Sequence, residues 1–164
     1  RDIRTRISSM ALVHEELYQS SDLARVNVSE YFQLLVDHLV QVYREPRIQI
    51  SLDAGLVLMA VDKAIPCGLI LNELVSNAMK YAFPEDRSGQ VNIFLAEEES
   101  EGENKSIVMR VRDTGTGLPA GVNLHTPESF GLQIVNILVK QLKGRLTAWN
   151  ENGAVFEVRF PVQP

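Results

Sequence analysis

Residues 70–83 read ILNELVSNAMKYAF, and at 100° per residue this stretch has two unlike sides. Glu73, Ser76, Asn77 and Lys80 fall on one narrow stripe, whereas Ile70, Leu71, Leu74, Val75, Ala78, Met79 and Ala82 cover the opposite side. Any surface helix is amphipathic, so the pattern alone predicts only a packed helix. Its composition says more: a carboxylate, a neutral amide and an amine stand at i, i+4 and i+7. The string DTGTGLP follows at residues 113–119. Together the two stretches point to a nucleotide site.

Around this helix lies a chain of 164 residues, one domain of ordinary size with room for an appended helix. Hydrophobic residues at 45% and charged residues at 23% are globular values and argue against disorder. A formal net charge of −5 without a Lys/Arg cluster lacks the electrostatic footprint of a nucleic-acid binder. The single Cys67 excludes an internal disulfide and a Cys-rich metal site, and reads as a small buried residue. No apolar run reaches the roughly eighteen residues that span a bilayer, and RDIRTRISSM lacks a signal-peptide core. The expectation is a cytoplasmic piece making no membrane contact of its own, which leaves room for a membrane anchor elsewhere in the full-length protein. The Arg-rich, already helical start indicates a fragment of something longer.

Read in order, Ile3, Ile7, Met10, Ala11, Val13, Leu17 and Tyr18 give a first helix over residues 1–20. Ser20, Ser21 and Asp22 break it. Ser29 is the expected N-cap of a second helix, residues 30–43, with Phe32, Leu35, Val36, Leu39, Val40 and Tyr43 facing the core. Residues 47–52 alternate at period two, Asp53-Ala-Gly55 reads as a turn and residues 56–60 as a return strand, so a hairpin is expected. Asp62 is the expected cap of the central helix, which runs to about Ala82 and stops at Pro84. Residues 91–96 and 106–111 read as strands around a solvated acidic loop, EEESEGENK. Residues 112–129 form a Gly/Pro/Thr-rich segment, and Ser129 or Glu128 opens a helix ending at Gly144. Residues 145–150 and 154–160 pair through an ENG turn. Single helices between paired strands argue for an α+β fold, a two-layer sandwich with a mixed, mostly antiparallel sheet covered on one face by helices.

A nucleoside triphosphate needs a cation and donors at its phosphates, and a flat apolar slot with one acceptor for its base. Asn77 offers a neutral amide oxygen to Mg²⁺, which takes few protein ligands, and Lys80 a point charge to the phosphates. Asp113 is an acceptor-only group suited to an amino group, and Gly115 and Gly117 let the backbone come close and adopt φ > 0. Gly131 leaves helix N-terminal amides open to phosphate. Neither a G-x-x-x-x-G-K-[ST] loop nor a G-x-G-x-x-G strand–helix turn is present.

The set LNELVSNAMKYAF, RVRDTGTGLP, SFGLQIV and NGAVFEVRFP resembles, in order and spacing, the asparagine box and the first, second and final glycine boxes of two-component sensor histidine kinases. Their ATP-binding domain, with its Bergerat-type fold, belongs to a superfamily shared with DNA gyrase, a heat-shock chaperone and the mismatch-repair protein MutL. The match covers roughly residues 45–162. Upstream, RISSMALVHEELYQSSDLARVNVSEYFQLLV resembles the subfamily with a short lid and no distinct phenylalanine box. The resemblance implies that residues 1–28 are the tail of a dimerisation and phosphoacceptor region with its linker, and residues 29–164 the catalytic domain. It further implies that Asn77 binds Mg²⁺, Lys80 the phosphates, Tyr81 the adenine or ribose and Asp113 the adenine amine. Gly115, Gly117, Gly131 and Leu132 would shape the cleft. Glu73 sits where ATP-hydrolysing relatives activate water, and in a kinase it would orient or deprotonate the accepting histidine. The γ-phosphoryl of ATP would pass to a histidine upstream of this fragment and on to a response-regulator receiver domain. An exposed Ile3/Ile7/Met10 stripe suits a homodimer.

Two positions depart from the pattern. Ser129 replaces the first glycine of the second box, which bears on lid flexibility and on amide contacts to phosphate. Ala154 replaces a threonine in the last box, at an expected cost of about 1 kcal/mol for one hydrogen bond. His14 reads as a partly buried structural residue, and His38 and His125 as structural or solvent-facing. The alternative function is a nucleotide-sensing or partner-binding module with little turnover; an ATP-hydrolysing clamp is disfavoured by the short lid.

Overall fold

The computed structural model of the chain describes residues 2–19, 25–102 and 104–162, with the side chains of all of these except 2, 13 and 16. Ser20, Ser21 and Asp22, expected to break the first helix, lie outside the described residues, as do the Val13 side chain and Glu103 of the acidic loop. Helix α1, Asp2–Tyr18, turns Ile3, Ile7, Met10 and Tyr18 to solvent. It buries Thr5, Ser9 and Leu17 instead, so much of its packed side is polar.

Strand β1, Val26–Asn27, leads into α2, Val28–Tyr43. The cap is Asn27, whose side chain accepts from the Ser29 and Glu30 amides, and not Ser29 as expected. Ser29 Oγ donates instead to the Gly55 carbonyl. Helix α2 buries Val28, Tyr31, Phe32, Leu35, Val36 and Leu39, while Val40, placed in the core by periodicity, is exposed. Arg44 in the left-handed region, φ 50°, ends the helix.

Strands β2, Ile48–Ala54, and β3, Leu58–Met59, do not form the expected hairpin. Strand β3 pairs with β1. The reason is visible at Gly55, whose amide donates to Leu95 and so carries the chain straight on where a tight reversal would have to start. Helix α3, Val61–Asn77, follows, capped at Ala60 without a side-chain hydrogen bond. Asp62 therefore does not cap it; it stands in the first turn, where a negative charge favours the helix dipole. The helix then widens into a π-helical turn, Ala78–Ala82.

The remaining elements are β4, Gly89–Glu99; β5, Lys105–Asp113; α4, Phe130–Gln141; β6, Arg145–Asn150; and β7, Ala154–Pro161. Both central strands outrun the expected bounds, because Glu97 and Glu99 of the acidic run pair with Ile107 and Lys105 as ladder residues. The five-stranded sheet has the order β2-β4-β5-β7-β6; β2 and β4 are parallel and all other neighbours antiparallel. The α+β expectation of a mixed, mostly antiparallel sheet with helices packed on it is thus met. Ile93 opposite Val111, Met109 opposite Val158 and Ile107 opposite Phe160 bury one face. On the other, Arg110 stacks on Phe94 at 5.1 Å and pairs with Glu157 at 2.9 Å.

Candidate functional site

The cleft begins where β5 ends. Asp113 is only 5% exposed, and its Oδ1 accepts from the Gly115 amide at 2.9 Å and the Ala154 amide at 3.1 Å. The hydroxyl missing at Ala154 therefore does not leave the carboxylate adrift, because two backbone amides fix it. Gly115 and Gly117 serve different ends. Gly117 takes φ +83°, as expected, but a Cβ at Gly115 would stand 2.2 Å from the Ala82 carbonyl oxygen. Its smallness lets the loop press onto the π turn, where the Thr116 amide donates to Ala82 at 3.0 Å.

The polar stripe of the central helix, which the sequence pattern keeps on one side, is shared between two hollows, and the split already lies within α3 between Ser76 and Asn77. Asn77, Ala78 and Tyr81 line a cleft of about 940 Å³ together with Asp113, Gly117 and Leu132. Leu74, Val111 and Phe156 supply an apolar wall. Tyr81 is 69% exposed, a ring laid along the opening. Glu73, Ser76 and Lys80 line a second, narrow polar hollow with Thr5, Arg6 and Tyr43. Glu73 and Ser76 are buried there under α1, and Arg6 grips both oxygens of Glu73. Ser76 Oγ finds no hydrogen-bond partner among the described residues.

Gly131, expected to shape the cleft, lines neither hollow but faces the end of α3 that both share. A Cβ there would lie 2.7 Å from Glu73 Oε2 and 3.6 Å from Asn77 Oδ1, so only glycine lets α4 approach the polar end of α3. Ser129 takes up the helix-capping role predicted for it. Its Oγ accepts from the Leu132 amide at 3.3 Å, so a serine in place of glycine takes up one of the helix's free amide donors. The segment 114–129 crosses the mouth as a lid. Its free run is held by Asn136 to the Leu124 carbonyl and by Gln133 to the Pro127 carbonyl.

Two residues that hold this arrangement escaped the sequence reading. Arg6 lies 67 residues before its partner, and Asn150 at a strand end bonds Leu118 of the lid. Neither has a local sequence signal. No histidine among the described residues lines the large cleft. His14 is exposed and stacks on Tyr18 at 5.4 Å, so it is not partly buried as expected. His38 shares a hydrogen bond with Ser8 at 2.9 Å, and His125 sits exposed in the lid.

The size of the cleft suits a nucleotide, since small-molecule sites commonly span about 300–1,000 Å³. An apolar wall meeting one fixed carboxylate matches the demands of adenine. Among the described residues no three His, Cys, Asp or Glu gather as a metal cage. The amide of Asn77 in the cleft suits instead a cation held chiefly by phosphate oxygens and water.

A helix-covered mixed sheet with this cleft at the end of a central strand has the form of a nucleotide-binding domain, and similarity places it more closely. Residues 62–164 match the histidine kinase-, DNA gyrase B- and HSP90-like ATPase family, and residues 1–43 match a histidine kinase family. The chain belongs to the histidine kinase-, DNA gyrase B- and HSP90-like ATPases. The sensor histidine kinase PdtaS of Mycobacterium tuberculosis strain H37Rv is 35% identical over 162 residues, covering 96% of this chain and 31% of that protein. Blue-light-activated histidine kinase 2 of Erythrobacter litoralis is 23% identical over 155 residues, covering 89% of this chain and 44% of that protein. In structure, a histidine kinase domain from Erythrobacter litoralis superposes with a TM-score of 0.84 at 21% identity, over 99% of this chain and 75% of that one. The chain thus spans less than half the length of these curated relatives.

Proposed function

We propose that this chain is the ATP-binding catalytic part of a cytoplasmic sensor histidine kinase. It holds Mg-ATP and passes the γ-phosphoryl to a histidine upstream of residue 1, for onward transfer to a response-regulator receiver domain. The observation that carries this reading is that Asn77 and Asp113, from separate elements, line one apolar cleft. Asp113 receives the adenine amine; Tyr81 and Leu132 flank the base or ribose; Gly115, Gly117 and Gly131 set how closely backbone and helix approach. Asn77 ligates Mg²⁺, and Lys80 brings its ammonium to the phosphates on a flexible four-carbon stem. Catalysis is mainly positioning and neutralisation of charge on the transferring group, to which bound Mg²⁺ contributes, while the lid excludes water.

Glu73 assists the accepting imidazole in this reading. With both oxygens on Arg6, it reaches that role only when α1 shifts. Residues 1–28 are taken as the end of the dimerisation and phosphoacceptor region, and residues 29–164 as the catalytic domain. The solvent-facing Ile3, Ile7 and Met10 supply the apolar stripe that a homodimer would cover.

Titration with a non-hydrolysable ATP analogue, with and without Mg²⁺, followed by amide chemical shifts, tests the reading. Shifts at Asn77, Asp113 and the lid that depend on Mg²⁺ are expected. Shifts confined to other surfaces would refute the site, and binding without phosphotransfer to a supplied acceptor domain would favour a nucleotide-sensing module.

A further inference from the structure

The Asn150 carboxamide takes both backbone groups of a single lid residue. Its Oδ1 accepts from the Leu118 amide at 2.7 Å, and its Nδ2 donates to the Leu118 carbonyl at 3.2 Å. A side chain thereby supplies the pair of hydrogen bonds that a neighbouring strand would otherwise give, at the point where the lid leaves the sheet. Gly117 delivers the chain into this grip. At φ +83°, a Cβ there would stand 2.9 Å from Asn150 Oδ1, so the turn and the clamp require each other.

The clamp shares its foundation with the carboxylate in the cleft. Asn150 is the register partner of Ala154, whose amide holds Asp113 Oδ1. A Cβ at Gly153, in the same turn, would lie 2.0 Å from the Asp113 carbonyl oxygen, so the turn is packed directly on that residue. One turn, residues 150–154, therefore fixes both the acceptor at the back of the cleft and Leu118 at its mouth. At its start the lid is held through Thr114, whose Oγ1 accepts from the Gln90 amide and whose carbonyl accepts from Arg87, and further along by Asn136 and Gln133 of α4. Between these, Asn150 ties Leu118, at the cleft itself, to the sheet.

We infer that Asn150 is a positioning residue for the nucleotide: it touches no ligand, but sets the spacing between Asp113 and Leu118 to which the base is matched. The inference rests on the ATP reading of the cleft. Because a slack spacing would let guanine slide until its own N–H groups reach Asp113, the residue serves selectivity for adenine as well as affinity.

Asn150→Ala and Asn150→Asp in the full chain provide the test, with non-hydrolysable ATP and GTP analogues as probes. Aspartate keeps an acceptor for the Leu118 amide but sets an anionic oxygen against the Leu118 carbonyl, so it breaks the clamp without shortening the side chain. Expected is a dissociation constant for the ATP analogue about tenfold higher in Asn150→Ala, on the order of one or two lost hydrogen bonds, and a comparable rise in Asn150→Asp. The preference for ATP over GTP should shrink, the Leu118 amide should exchange faster, and, in phosphotransfer to a supplied acceptor domain, KM for ATP should rise by more than kcat falls. Equal loss for both analogues, tracking a lowered melting temperature, would reduce Asn150 to a turn stabiliser and overturn the inference. Unchanged affinity with a freed Leu118 amide would overturn it too. If the unmutated chain binds neither analogue, the ATP reading fails and this inference falls with it.

Discussion

Arg6 of α1 and Glu73 of α3, 67 residues apart, meet end to end: Nε lies 2.5 Å from Oε1 and Nη2 2.9 Å from Oε2. The guanidinium also sits 5.2 Å over the Phe130 ring at the start of α4, so one side chain joins three helices. The carboxylate is 6% exposed and the guanidinium 23%, so the pair is screened far less than a surface bridge.

Removing one partner should therefore cost more than the pair itself contributes. Arg6→Met leaves Glu73 buried against Gly131 without its guanidinium, and a loss of about 2–3 kcal/mol in urea unfolding is expected, below the full buried-pair penalty because Arg6 keeps some solvent. Arg6→Met with Glu73→Gln should recover most of that loss. A double variant as unstable as Arg6→Met alone would show that the damage comes from lost packing on Phe130.

Asp113→Asn should leave the fold nearly untouched, since an amide oxygen can still accept from the Gly115 and Ala154 amides. The atom opposite then becomes a donor facing the donor on adenine, and the mismatch should weaken ATP-analogue binding by more than about tenfold in calorimetry. Asp53→Asn, on the edge strand β2, should bind normally. Equal effects of the two changes would remove Asp113 from the base site.

Asn77 ends α3 on the cleft side, while the apolar face of that helix is buried by other residues. Asn77→Ala is accordingly expected to keep its melting temperature within a degree or two, and to lose the Mg²⁺-dependent part of nucleotide binding. Normal Mg-ATP binding by this variant would contradict the metal assignment.

Alkaline pH should destabilise the chain through the core. Burial pushes the Cys67 thiol from an ordinary 9.0 up to about 12, with a smaller opposing pull from Lys63, and burial also raises Tyr31. The folded chain keeps these protons over a range where the unfolded chain has released them. Stability is then complete below about pH 9 and falls towards pH 12, by about 1.4 kcal/mol per pH unit for Cys67 alone. Urea midpoints at pH 8 and pH 10 should diverge less in Cys67→Ala; parallel slopes would mean the thiol plays no part.

The central helix and the DTGTGLP bend were legible because their signals are local: an apolar period that only a helix satisfies, and glycines beside a strand-ending aspartate. The division of the polar stripe was not legible. It depends on α1 covering Glu73 and Ser76 while the loop after β5 leaves Asn77 open to the cleft, contacts between distant segments. The pairing of β2 was missed for a related reason, since alternation marks a strand without naming its neighbour, and β4 runs beside it only after α3 has crossed the sheet. Arg6 and Asn150 look like an ordinary surface arginine and an ordinary strand end until the fold supplies their partners.

Strand β7 lies between β5 and β6, although it is the last of the seven to be synthesised. Its first amide also steadies Asp113. A chain still emerging from the ribosome thus closes its pocket last of all, and a stop codon shortly before Ala154 would remove the Phe156 wall and the amide that steadies Asp113 while sparing Asn77, Tyr81 and Asp113 themselves.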